Sequence, residues 1–222
     1  MNIIKKIFLL LLLFSVVGCV PSLVYSPSLN LPPKPLQKGK TQILGGAALF
    51  PETRPDMVSN KLALGGESTI RFALRKNFSL QFETWFDLSN NLDQTRWGLS
   101  SACIIVFNDS SAYRFGLMPV GAVCFDGASI EGGGGYIPLT LWINNLEPMF
   151  IYVALGPAIG LRDLSEGKNQ WGWGIIVNAG FGILIDDEWT INLEFAGIRQ
   201  VSEFNDRIDY FFSPSLNVGY LF

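Results

Sequence analysis

The most telling chemical feature of this chain is a missing residue type: its 222 residues include no histidine. Imidazole is the usual general base and the commonest metal ligand, so serine activation by histidine and histidine-centred metal sites are excluded. No pair of carboxylates stands at a spacing that would place one as acid and the other as base. The run Gly132-Gly133-Gly134-Gly135 has no Lys-Ser/Thr after it and opens no helix, so it is not a phosphate cradle; it reads as the flexible tip of an external loop. What remains is three thiols, Cys19, Cys103 and Cys124, and a set of charged residues at alternate positions within otherwise apolar segments. Such a chain binds, anchors or builds. It carries no catalytic set and calls for no cofactor or metal.

The position of Cys19 gives that thiol a specific chemistry. Lys5 and Lys6 precede an apolar core of eleven residues, Ile7 to Val17. A bilayer-spanning helix needs about 20 residues, so this run suits the helix of a secretory signal. The stretch Val16-Val17-Gly18-Cys19 resembles the lipobox of bacterial lipoproteins. That resemblance implies cleavage ahead of Cys19 and acylation of its thiol and new amino group. Residues 1–18 are then the signal peptide. Residues 19–40 hold the lipidated cysteine and a tether with five prolines, extended and partly polyproline-like.

Composition narrows the class of the remainder. Removing the signal takes away two of the 16 basic residues and none of the 19 acidic ones, so the mature chain is acidic and has no basic stripe for nucleic acid. Hydrophobic residues make up 49% and charged residues only 16%, yet no second apolar run is long enough for a spanning helix. An exported chain of this kind can enter a membrane as a closed β-barrel, in which every backbone polar group is paired between strands.

The pattern along residues 41–222 agrees with that architecture. About ten strand-like segments fall near 41–50, 60–75, 78–87, 95–107, 112–125, 136–144, 148–161, 171–185, 188–197 and 210–222. Several alternate strictly, such as Phe78-Ser79-Leu80-Gln81-Phe82-Glu83 and Trp189-Thr190-Ile191-Asn192-Leu193-Glu194-Phe195, which sets one class of residue on each face of a strand. Connections run long, short, long, short. Pro51–Ser59, Leu88–Gln94, Asp126–Gly135, Arg162–Gln170 and Ile198–Asp209 alternate with Lys76-Asn77, Asn108–Ser111, Asn145–Glu147 and Asp186-Asp187. Short periplasmic turns, longer external loops and an even strand number are features of outer-membrane barrels. Aromatics sit near strand ends, with Phe78, Phe107, Trp189 and Phe222 on the turn side and Phe50, Phe86, Trp97, Tyr136 and Trp171 on the loop side.

On this pattern the chain resembles bacterial outer-membrane barrels, and the final strand ending at Phe222 resembles the signal such proteins present to their insertion machinery. The implied fold is an all-β, up-and-down antiparallel transmembrane barrel of ten strands, or of eight with two forming an external extension. The implied location is the outer membrane, with a periplasmic, lipid-anchored N-terminus and outer-membrane lipid around the wall. A soluble periplasmic β-domain hung from its lipid is the competing architecture.

If the apolar set faces lipid, Lys61, Glu67, Thr69, Arg71, Arg75, Ser79, Gln81, Glu83, Arg96, Arg114, Asn192 and Glu194 face inward. Unpaired buried charge is costly, so Glu67 and Glu83 should pair with Arg71, Arg96 and Arg114, with Glu194 in the same lumen. Small barrels are filled by side chains, which argues against a general porin. Register sets Cys103 near Leu117 and Cys124 near Arg96, on opposite faces, so no disulfide is expected. Pro119, Pro138, Pro157 and Pro214 lie inside strands and should mark bulges or gaps, through which a small hydrophobic ligand could enter sideways. The functional expectation is a non-enzymatic barrel lipoprotein acting through its external loops, or else a narrow passage or binder for small hydrophobic molecules.

Overall fold

The computed structural model describes residues 29–32, 36–54, 57–87, 96–108, 112–146, 148–164, 168–202 and 208–222. Twelve strand segments follow in order: β1 (Thr41–Arg54), β2 (Met57–Arg75), β3 (Phe78–Asp87), β4 (Arg96–Val106), β5 (Tyr113–Leu117), β6 (Val120–Asp126), β7 (Ser129–Tyr136), β8 (Leu139–Leu146), β9 (Met149–Leu164), β10 (Lys168–Ile185), β11 (Trp189–Ser202) and β12 (Ile208–Leu221). Each pairs antiparallel with its neighbours, and β1 pairs with β12, so the sheet closes on itself. Segments β5 and β6 form one stave, and β7 and β8 another. The result is a closed barrel of ten staves. Closure leaves no open sheet edge, and the soluble β-sandwich is thereby set aside.

Burial alternates along the staves as a period of two requires. Glu67, Thr69 and Arg71 of β2, Gln81 and Glu83 of β3, and Asn192 and Glu194 of β11 are buried in the interior. Their neighbours on the other face, among them Phe82, Leu193, Phe195 and Leu216, are exposed. This is the inside-out arrangement of a wall whose apolar face meets lipid. Aromatics mark both rims. Trp97 stacks on Phe125 with centroids 4.0 Å apart at one end, and Trp189, Tyr220 and Phe222 cluster at the other. Tyr136 departs from the expected girdle, because it points inward and is 2% exposed.

None of the four in-strand prolines makes a bulge, but three interrupt pairing. Pro119 and Pro138 fall in the two-residue breaks between β5 and β6 and between β7 and β8, and the β1–β12 pairs end at Ala48–Ser215, next to Pro214. Pro119 and Pro157 stand in one row, either side of Ile137, and Pro138 in the next row. The Cys103 N–H donates to the Pro119 carbonyl at 3.1 Å, Met118 to Pro138 at 3.0 Å, and Ile137 to Pro157 at 3.1 Å. Register is the same on both sides of these rows, since Ala102 faces Val120 and Ile105 faces Leu117. Each proline lacks a donor but keeps its acceptor, so hydrogen bonding continues across them. Pro214 faces Phe195 in an unbroken β11–β12 register. The adjoining Ser213 hydroxyl donates to the carbonyl of Leu49, the β1 residue next to the Ala48–Ser215 pair. The wall is hydrogen-bonded at the Pro119, Pro138 and Pro157 carbonyls, whereas the paired register of β1 with β12 ends beside Pro214.

Other expectations shift for local reasons. The segment Asp126–Gly135 is not a long loop. Gly127-Ala128 forms a tight turn, with Gly127 at φ +56°, and Gly132–Gly135 are strand residues of β7. Glycine suits Gly134 because a Cβ there would meet the Ile159 carbonyl at 2.7 Å. Pairing also reaches into three other expected loops, with Arg54 facing Met57, Lys168 facing Leu164 and Val201 facing Ile208. Loop 88–94 lies outside the described residues. Arg75 is exposed, because a bulge between Ala73 and Arg75 switches it to the other face. The side chains of Phe50 and Lys61 lie outside the described residues.

Candidate functional site

The interior is divided lengthwise by chemistry. Staves β4 to β9 contribute Ala102, Ile104, Met118, Val120, Trp142 and Phe150 to one apolar cluster. The inward positions of β1–β3 and β10–β12 are mostly polar, including Gln42, Thr69, Gln81, Asn178, Thr190 and Asn217, with Leu44, Trp85 and Ile176 buried among them. Between the two halves lies a stretch of the chain itself. Leu29, Asn30 and Leu31 are at most 1% exposed, and both leucines belong to the apolar cluster. These residues fall within the stretch that the sequence assigns to the tether.

The polar half grips the main chain of this segment by four hydrogen bonds from three side chains. Glu194 accepts the Leu29 N–H at 2.6 Å on one carboxylate oxygen and the Asn30 N–H at 2.9 Å on the other. Arg71 donates from Nη2 to the Asn30 carbonyl, and Gln81 donates to the Leu29 carbonyl at 3.0 Å. Two consecutive residues thus have both donors and both acceptors satisfied by luminal side chains, as burial demands. Asn30 has φ +49°, a left-handed conformation that asparagine tolerates, and its side chain donates to Thr69 Oγ1 at 3.2 Å.

The gripping residues are themselves held. Glu194 also accepts from Tyr152 Oη and from Asn178 Nδ2, the latter at 2.7 Å. Asn192 Nδ2 donates to the Tyr152 oxygen at 2.9 Å. Arg71 donates to Gln81 Oε1 from Nε at 3.1 Å and from Nη2 at 2.6 Å, and from Nη1 to Gln42. A carboxylate with four fixed donors has its lone-pair sites filled. This geometry suits a clamp and leaves Glu194 no free site for proton transfer.

The expected luminal charges therefore divide among separate local groups. Arg71 and Glu194 meet through Asn30. Glu67 accepts from Asn217. Arg96 pairs instead with Glu131 at 2.7 Å, beside Cys124, whose thiol lies 3.7 Å from the other Glu131 oxygen. Arg114 stands on β5 opposite Trp142, two staves from Glu83 on β3. Sequence reasoning missed Gln42, Tyr152, Asn178 and Asn217, although strand alternation marks the positions of Asn178 and Asn217. Nothing in the sequence marks Leu29 and Asn30. Cys103 and Cys124 are free and buried. Cys103 faces Pro119 and Cys124 faces Gly98, two residues from the expected register but still on opposite faces. Cys19 lies outside the described residues. Among those residues no cluster of His, Cys, Asp and Glu could hold a metal.

No protein-family model matches the chain, and no curated protein sequence does. Among solved structures it is similar to bacterial outer-membrane barrels. Ail, the attachment invasion locus protein of Yersinia pestis, is 15% identical over 84% of this chain and 100% of its own, with a TM-score of 0.39. The N-terminal β-barrel domain of Pseudomonas aeruginosa OprF is 12% identical over 84% and 100%, with a TM-score of 0.39. The outer membrane protease OmpT of Escherichia coli is 10% identical over 90% and 99%, with a TM-score of 0.46. No residue role passes from these proteins to this chain.

Proposed function

We propose that this chain is a non-enzymatic outer-membrane β-barrel lipoprotein whose lumen is closed by its own N-terminal segment. The observation that carries the reading is the grip of Glu194, Arg71 and Gln81 on the main chain of Leu29 and Asn30. A polar lumen kept for passage would leave such groups to water or solute. Here they are spent on a peptide of the same chain, backed by an apolar half that excludes water. The exposed apolar band supports the membrane location, and the rims of aromatic residues support its two boundaries. The role left to such a molecule is structural or binding, exercised at the rim that carries the longer connections. Lipid attachment at Cys19 belongs to the same reading and rests on the Val16–Cys19 motif.

Two measurements test it. Outer-membrane fractions are run on detergent gels unboiled and boiled; a heat-dependent shift with resistance to alkaline extraction is expected. Growth with radiolabelled palmitate should label the wild type and not Cys19→Ala. Extraction of the unlabelled protein by alkali, without a mobility shift, would overturn the embedded barrel.

A further inference from the structure

The lipid-facing side of the wall has a trough. Following one row of paired residues across the staves, Phe82 faces Ser101, Ser101 faces Gly121, Gly121 faces Gly135 and Gly135 faces Ile159. All five are on the outward face. Three small residues in a row between two large ones leave a depression, with Ser101-Gly121-Gly135 as floor and Phe82 and Ile159 as banks. The next row toward the Trp97–Phe125 rim adds Thr84, Leu99, Val123 and Gly133. Together they enclose a cavity of about 660 Å³ that also touches Trp171. Sites for small organic molecules commonly measure about 300–1,000 Å³.

We infer that this trough is a binding site for a single acyl chain of a membrane lipid. The inference rests on the membrane reading given above. Leu99, Ile159, Phe82 and Trp171 are between 45% and 52% exposed and belong to the apolar band, so the cavity opens toward hydrocarbon and not toward water. It begins one row below the Trp97–Phe125 stack, the depth at which an acyl chain leaves its head group. A second barrel presents a convex wall, which cannot follow a concave floor. A flexible chain can. The paired hydroxyls of Ser68 and Thr84 border one end and would favour a polar ester edge there.

The floor itself supplies the test. A Cβ at Gly121 meets nothing within 4 Å, so a side chain there starts into open space, and Gly121→Phe should fill the trough; a retained heat-dependent gel shift checks that the variant folds. Full-length protein is reconstituted in phosphatidylcholine vesicles containing a lipid with a photoactivatable diazirine in its acyl chain, and labelled residues are mapped. Leu99 and Ile159 should be labelled at least about five-fold more than Leu216 and Val218, which are equally exposed on β12. Gly121→Phe should remove that excess and leave Leu216 and Val218 unchanged. Even labelling around the wall, an excess that survives Gly121→Phe, or a dimer of the chain that masks the trough overturns the inference. No labelling at Leu216 and Val218 either would instead defeat the membrane reading.

Discussion

Glu194 on β11 accepts the main-chain N–H of Asn30 at 2.9 Å across 164 positions of sequence. The bond joins a residue of the wall to a segment that precedes the first strand, and it makes the barrel interior a binding site for its own chain. Removing the carboxylate strands the Leu29 and Asn30 donors in a buried place. Glu194→Ala should therefore cost about 3–5 kcal/mol, the range for breaking a buried charge–partner set. Urea unfolding in vesicles reads the cost. Chymotrypsin cleavage after Leu29 should rise from near zero. Unchanged protection would show that the clamp contributes nothing.

The same clamp predicts a closed pore. In planar bilayers the full chain should be electrically silent, because the segment lies between a water-excluding apolar half and the polar side chains that hold its main chain. The double variant Arg71→Ala/Glu194→Ala should produce ion-conducting events. Steady conductance by the wild type would contradict a plugged lumen.

Gly180 on β10 supports Tyr152 by having no side chain. A Cβ there would overlap the Tyr152 ring and push its hydroxyl away from Glu194. Gly180→Ala should cost about 1–3 kcal/mol, typical of overpacking. Tyr152→Phe should lose about 1.5–3 kcal/mol, the value of a hydrogen bond to a charged group. Because both act on one contact, the double variant should cost less than the sum, which a double-mutant cycle measures.

The outward face responds differently. Val177→Arg on β10 and Leu216→Arg on β12 place a charge among exposed apolar residues. In a bilayer each should cost about 2–4 kcal/mol at mid-depth. The exposed Lys38, beside the β1 rim, should tolerate Ala within about 0.5 kcal/mol. Equal tolerance at all three positions would mean that the apolar band does not meet lipid.

Mild oxidation gives a register test. Cys103 lies beside Pro119, five positions along the stave from Cys124, and on the other face of the wall. Copper-phenanthroline treatment of the folded protein should leave both thiols free, as mass spectrometry of the alkylated chain would show. An intramolecular disulfide would require a different register.

The wall itself was legible in the chain because its signals are local. Alternation in Phe78–Glu83 and Trp189–Phe195 assigns faces residue by residue, and the spacing of turn residues such as Asp186-Asp187 divides one stave from the next. Both aspartates indeed take left-handed φ values, +52° and +57°, suited to a tight hairpin. Locality also explains the errors. Arg75 keeps the alternating pattern in sequence but is turned outward by a bulge two residues before the end of pairing. Four consecutive glycines look like a loop when read alone, yet they are strand, and at Gly134 the neighbouring Ile159 carbonyl leaves no room for a side chain.

The sequence by itself determined the class of wall, the inward positions of Glu67, Arg71, Glu83 and Glu194, and the absence of histidine chemistry. Only the tertiary structure decided what those inward groups meet. Closure of β1 on β12 brings Arg71 and Glu194 toward one axis, and the space between them is filled by residues from outside the barrel pattern. Leu29 and Asn30 carry no periodic signal because a plug needs none. Its partners come from distant staves, and their convergence exists only once the sheet has closed.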